Sequence, residues 1–355
     1  MHEPPSYGMA VEIGHIDREL GRLWDSSEDT KTRASMINLV VYTEDAAAMA
    51  ENTQRIAAIA SEHACRAILI LADCAAPESS AKAWITAHCH VQGNGGRQIC
   101  SEQITFELKG SACGALPNIV FSHLDSDLPL ALWWQGEFCD PLDEKLWAWV
   151  DRLIFDSRAW NNPASQFALT EKIANLRDAR AVLCDLNWAR LYPWRFALAS
   201  LFDSACALPS LSRLTHVEIC HAPGSETTAI LLLGWLAAQL GWTSQSLLSQ
   251  HDWQSANGQR ISFALVEAPG SDLSHVSMTA PDATFEISRE KDFFHLRLKP
   301  LGMAETNSTM SVGRERVGDT LLAELSRGGR HLLYKKAVVA AEPLLSALPR
   351  RRDNG

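Results

Sequence analysis

Apolar positions in this chain switch between helical and strand spacing, and the switches predict its elements. Ile13, Ile16, Leu20, Leu23 and Trp24 recur every few residues, one stripe of a helix expected over residues 11–29. Residues 34–42 follow with a β-branched run that predicts a strand. Residues 45–63 return to helical spacing, with Met49, Ile56 and Ile59 facing inward. Residues 66–72 are a continuous apolar run, the pattern of a parallel strand covered on both faces. Strand, helix and strand in that order make a βαβ unit with a right-handed crossover.

Alternation then takes over. Residues 84–91 and 99–109 read as strands, and Gly93-Asn94-Gly95-Gly96 between them predicts a hairpin turn. Residues 127–134 form a strand ending in paired tryptophans, and 152–156 a short one. A helix is expected over 163–176. Helical pieces are expected over 185–203, broken at Tyr192-Pro193, because proline disfavours helix in the residue before it. The character changes at 209–213. Beyond lie a strand (215–220), a helix (225–240), strands at 260–267, 284–289 and 293–299, and a final helix over 318–348 that is weakest at Gly328-Gly329. The expected fold class is α/β: an N-terminal three-layer-like α/β domain with a mixed sheet over residues 1–208, then a smaller α+β domain over 209–355.

A chain of 355 residues fits two domains at about 150 residues each. The net charge of −10 argues against nucleic acid, which needs a concentrated cationic face. The basic run Arg350-Arg351-Arg352 reads as solvated tail. Residues 229–240 are too short and interrupted to span a bilayer, and the first five residues lack the pattern of a signal peptide, so no membrane association is expected. Nine cysteines, scattered singly, point to reduced thiols and a cytoplasmic protein.

Candidate chemistry is sparse. His88 and His90 share one side of a strand at a spacing that chelates zinc, but no third ligand is offered nearby, and no metal is expected. Gly224 and Ser225 open a helix after a strand, a place where backbone N–H groups receive anions, yet the lysine of a phosphate-binding loop is missing. Nucleophile elbows and zinc-protease motifs are absent, and Asp125/Asp127 or Asp140/Asp143 are loop acids. The expectation is a protein that is not an enzyme and takes no cofactor.

Aromatic density is what remains. Of the twelve tryptophans, seven fall between Trp133 and Trp194, interspersed with Arg152, Arg190, Tyr192 and Arg195, the residue types that dominate interface hot spots. Three blocks of this segment, Leu130–Gly136, Asp151–Ser157 and Asp185–Arg195 (DLNWARLYPWR), resemble those of the OpcA family, the glucose-6-phosphate dehydrogenase assembly proteins. Residues 62–66 (EHACR) resemble a further element of that family, with Ala64 where proline is usual. The resemblance implies a non-catalytic protein that binds glucose-6-phosphate dehydrogenase and promotes its active oligomer in the oxidative pentose phosphate pathway. It places partner contacts among Trp133, Trp134, Arg152, Asp156, Asp185, Trp188, Arg190, Pro193, Trp194 and Arg195. Some members are linked to redox control, which no motif here assigns to particular cysteines. A rival reading is a sugar-phosphate-binding protein or enzyme using these arginines or Gly224-Ser225. A third makes the arginines structural, bonding carbonyls at helix ends.

Overall fold

Two short strands, β1 (Met9–Val11) and β2 (Lys31–Arg33), precede the first long apolar run, which forms β3 (Ile37–Thr43). The structure is a computed structural model and describes residues 7–25, 31–33, 35–91, 98–176, 181–203, 207–244, 252–313, 317–326, 329 and 331–349. The predicted turn at 93–96 and the basic run at 350–352 lie outside the described residues. The chain forms two units from segments that alternate in sequence. The first takes residues Met1–Phe155, Leu169–Cys184 and Leu321–Gly328; the second takes Asp156–Ala168, Asp185–Thr320 and Gly329–Gly355.

In the first unit the expected βαβ runs from β3 through a helix to β4 (Cys65–Asp73), parallel to β3. The hairpin follows as β5 (Ser80–Val91) and β6 (Gln98–Lys109), antiparallel to each other, and then come β7 (Leu130–Gln135), β8 (Arg152–Phe155) and β9 (Val182–Asp185). The sheet order is β1-β5-β6-β4-β3-β7-β8-β9, with β2 beside β6. Leu39, Val40, Ile68 and Leu69, successive residues of the two central strands, are all fully buried. Consecutive burial requires cover on both faces, as the unbroken apolar runs predict. Helices α1 (Ile16–Asp25), α2 (Met49–Glu62), α3 (Leu116–His123) and α4 (Glu144–Trp147) belong to this unit. The next helix, α5 (Pro163–Asn175), carries the chain from one unit to the other.

The second unit contains α6 (Leu186–Arg190), α7 (Tyr192–Ser200) and α8 (Leu208–Leu211) before its first strand, β10 (His216–His221), and then α9 (Glu226–Leu240). Seven more strands follow: β11 (Thr243–Ser244), β12 (Asp252–Gln254), β13 (Arg260–Glu267), β14 (Leu273–Ala280), β15 (Ala283–Glu290), β16 (Phe293–Pro300) and β17 (Thr306–Ser311). They assemble in the order β11-β12-β13-β10-β14-β15-β16-β17, antiparallel except where β13 lies parallel to β10. The final helical stretch is two helices, α10 (Val317–Ser326) and α11 (Leu332–Ala347), with Gly329 of the expected weak point outside both, while Gly328 lies outside the described residues. Helix α11 packs closely on α9 at Gly234, where a Cβ would sit 2.5 Å from the Ala337 carbonyl oxygen.

Both units mix strands and helices, so the α/β class expected from the sequence is what the chain adopts. The division differs from the single cut expected at 208/209. The composition change there marks α8, a one-turn helix with proline in its first turn, inside the second unit. That unit also takes in residues 156–168 and 185–208, so the two units are close to equal in size. Among the described residues no helix is long and apolar enough to cross a membrane.

Candidate functional site

The first block ends in the aromatic core of the first unit. Strand β7 is buried at every residue from Leu130 to Trp134, the pattern of a strand covered on both faces, so Trp133 and Trp134 are buried alike. The ring of Trp134 stacks on Tyr42 across the β3 pairing, 3.7 Å between centroids, and meets Trp147 edge-on at 5.1 Å. Its indole Nε1 donates to the Glu137 carbonyl at 3.2 Å. Trp133 points to the opposite face, under the Arg55 guanidinium. A half-exposed strand would have left one ring outside; a strand covered on both faces leaves neither. As partner-facing anchors these two rings are therefore corrected to core.

The second block divides between the units. Arg152, on β8, donates from Nη1 to the Glu324 carbonyl at 3.0 Å and lies 3.2 Å from Cys184 Sγ. Asp156 begins the second unit and grips Arg190 with both carboxylate oxygens, at 2.9 and 2.6 Å. It also accepts from the Arg158 backbone N–H at 3.3 Å, capping the turn of residues 157–159.

Asp185 does the same for the third block, at greater depth. It caps α6 by accepting from Asn187 N at 2.9 Å, and its oxygens also receive Ser157 N at 3.1 Å and Ser157 Oγ at 2.7 Å. Tyr334 Oη approaches to 3.4 Å. Asn187 extends the network, donating to Ser157 Oγ and accepting from Thr228 Oγ1 at 2.8 Å. Two N-cap aspartates, each with a serine or asparagine close behind, thus tie the turn of residues 157–159 to α6 and α9. Trp188 packs against Tyr334, and Trp194 lies 4.5 Å from Phe294 of β16; both are buried. Arg195 sits 3.5 Å over the Trp188 ring and donates to the Trp188 carbonyl at 3.0 Å. Pro193 occupies the first turn of α7, where the missing N–H costs nothing. Trp188 and Trp194 are likewise corrected from exposed anchors to core, because α6 and α7 turn these rings inward. Arg152 and Arg195 both bond carbonyls, as the structural reading of the arginines expects.

Complete burial pushes the Asp185 carboxyl up to about 7, against the hydrogen bonds from Ser157 and Asn187, which favour the charged form. Its folded value lies above the unfolded one of about 3.9, so the folded state retains a proton that the unfolded state has released. Stability then falls as pH rises through the window from about 4 to about 7, by at most roughly 4 kcal/mol. Asp185→Asn keeps the acceptor oxygen and removes the charge. Urea unfolding of this variant is expected to show a flatter pH slope than the wild type over that window; an equally steep slope would assign the effect elsewhere.

The helix start at Gly224-Ser225 is already furnished with carboxylates. Glu226 Oε1 accepts from the Gly224 backbone N–H at 3.3 Å, and Ser225 Oγ donates to Asp272, which also pairs with Arg158 at 2.7 Å. Acids there suit the helix dipole and oppose a phosphate. Ser225, expected as the N-cap, makes no side-chain cap hydrogen bond. On β5, His88 Nε2 donates to Gln103 Oε1 at 2.8 Å, and Cys89 is disulfide-bonded to Cys100, its direct cross-strand neighbour. The expectation of uniformly reduced thiols is corrected at that pair. Cys65 and Cys184 are held up to about 12 by burial, far from reactive. Asp143 caps α4.

Reasoning from the sequence missed Ser157, Asn187, Thr228, Asp272 and Tyr334. It also missed Trp149, 62% exposed and the one ring of the seven that is not buried.

A family model described as the glucose-6-phosphate dehydrogenase subunit N-terminal domain matches residues 56–172, and the corresponding C-terminal domain model matches residues 181–338. An OpcA protein of Nostoc punctiforme, named for the OxPP cycle, is 32% identical over 306 residues, 79% of this chain and 65% of its own length. An OpcA protein of a Synechocystis species, named in the same way, is 29% identical over 191 residues, 53% of this chain and 39% of its own. The chain thus spans less than two thirds of either relative. Among solved structures, biliverdin reductase from Synechocystis, in complex with biliverdin and NADP+, reaches a TM-score of 0.47 at 11% identity, over 88% of this chain and 98% of that one. A likeness that slight carries no argument about function.

Proposed function

Because the chain belongs to the OpcA family of glucose-6-phosphate dehydrogenase subunits, we propose that it is a non-catalytic assembly factor and allosteric effector, which binds that dehydrogenase and promotes its active oligomer in the oxidative pentose phosphate pathway. The observation that carries this reading is the order of the two matches, N-terminal then C-terminal domain of one subunit, along a single chain. The polar cluster supports it. Asp156 with Arg190, Asp185 with Ser157 and Asn187, and Arg158 with Asp272 are bonded to one another, which suits a framework more than a reacting centre. An effector of this kind acts by binding one state of its enzyme better than another.

With the block tryptophans buried, contact with the dehydrogenase passes to the outer face of the same block. Tyr192 and Phe196 lie one turn apart on α7, both more than half exposed, with ring centroids 6.4 Å apart. Mixing the purified chain with its cognate dehydrogenase is expected to change the enzyme's activity and sedimentation. No effect at micromolar concentration, oxidised or reduced, would overturn the reading. Tyr192→Ala with Phe196→Ala is expected to weaken binding about tenfold or more, the scale of an aromatic hot spot, while the melting temperature stays close to wild type.

A further inference from the structure

The sheet of the second unit buries one face only. Val217, Ile219, Val276, Met278, Phe285, Ile287, and beside them Phe294 and Leu296, alternate onto the covered side. The intervening residues form rows on the other side, and one row reads Ala264, Glu218, Ser277, Glu286, Arg297, Asn307 across β13, β10, β14, β15, β16 and β17. None of these six is buried. We propose that this face pairs with the same face of a second copy of the chain, about a two-fold axis running along the strands over the seam of β14 and β15.

Shape is the first argument. Ser277, Thr279, Thr284 and Ser288, beside the seam of β14 and β15, are small, which lets another sheet approach the middle of the face at about 10 Å. Six strands of up to eight residues span roughly 29 Å by 26 Å at ordinary strand spacing and rise, about 750 Å² before side-chain relief. That approaches the ~800 Å² per partner of a standard interface.

Charge selects the occupant. A two-fold axis along the strands preserves position along each strand and exchanges β16 with β10. It therefore sets Arg297 of one copy over Glu218 of the other, at both ends of the row, as an isologous interface requires. Within one chain these two residues are three strand spacings apart, roughly 14 Å, too far to pair. Arg297 has a side chain 49% exposed and is steadied within its own chain by Glu305 at 3.0 Å, Asn307 Oδ1 at 3.3 Å and Glu286 at 3.8 Å. Along this row Arg297 and Glu218 lie on opposite sides of the centre, while Glu286 lies beside Arg297 and pairs with it within the chain.

Sedimentation equilibrium of the full chain, without the dehydrogenase, tests this, and its failure would leave the proposed function untouched. The wild type is expected to be a dimer at micromolar concentration. Arg297→Glu and Glu218→Arg should each weaken pairing about tenfold or more, the scale of a close charge pair, and the double exchange should restore it. Ser277→Arg, which adds bulk at the centre, should give a monomer, with melting temperature and circular dichroism confirming that each variant folds. A wild type that stays monomeric at tens of micromolar, a double exchange without rescue, or a dimeric Ser277→Arg variant would each overturn the proposal. If the wild type is monomeric and Ser277→Arg loses binding to the dehydrogenase, the face belongs to the enzyme instead.

Discussion

Arg190→Ala is expected to destabilise the protein by about 3 kcal/mol, and to reduce dehydrogenase binding only as far as the folded fraction falls. The guanidinium is 10% exposed, and both of its bonds go to Asp156, which is 26% exposed. Truncation removes two charge-assisted hydrogen bonds and strands a carboxylate that is mostly out of water. Breaking a buried pair typically costs ~3–5 kcal/mol, and the partial hydration of Asp156 sets the lower end here. Arg190→Lys keeps the charge but not the fork, so roughly half the loss should return. If Asp156 is the partner that matters, Asp156→Ala and Arg190→Ala together should cost clearly less than their sum. Urea unfolding of the full chain measures each of these. Unchanged stability with binding abolished would instead put Arg190 in direct contact with the dehydrogenase.

Much of the fold was legible because its strongest elements depend on local pattern. The runs at β3 and β4 announce burial on two sides, and the spacing of Met49, Ile56 and Ile59 announces α2. Strands β14 and β17 were missed for the converse reason. Serine and threonine recur along both, and their apolar alternation is too thin to stand out. The paired tryptophans misled because their strand was read as half exposed, although Leu130–Trp134 is an unbroken apolar run of the kind that marks β3 and β4, and it is buried on both faces. The site failed for another reason. Asp185 can be read as a helix cap, but Ser157 reaches it across 28 residues, and Tyr334 across 149, through packing that no spacing rule encodes. One contact was within reach. Cys89 and Cys100 are equidistant from Asn94-Gly95, so a tight turn centred there sets them opposite each other.

Trp194→Ala is expected to cost about 3–5 kcal/mol, the largest stability loss of any single substitution in the three blocks. The ring is 2% exposed, within the face of α7 that also buries Ala197 and Leu198, and it packs 4.5 Å from Phe294. Deleting it leaves a cavity that β16, paired on both edges, cannot close by shifting. Trp194→Phe keeps an aromatic surface against Phe294 and should recover most of the loss. The opposite behaviour, weaker binding at full stability, is what an exposed hot spot would show. Comparing Trp194→Ala with the Tyr192/Phe196 double variant therefore separates the two sides of one helix. The inner side should lower the unfolding midpoint and leave the dissociation constant of the folded molecules near wild type. The outer side should raise the dissociation constant and leave the midpoint alone. If both variants moved the same quantity, the block would be acting as a unit, and its buried tryptophans would reach the dehydrogenase through the positions they impose on Tyr192 and Phe196.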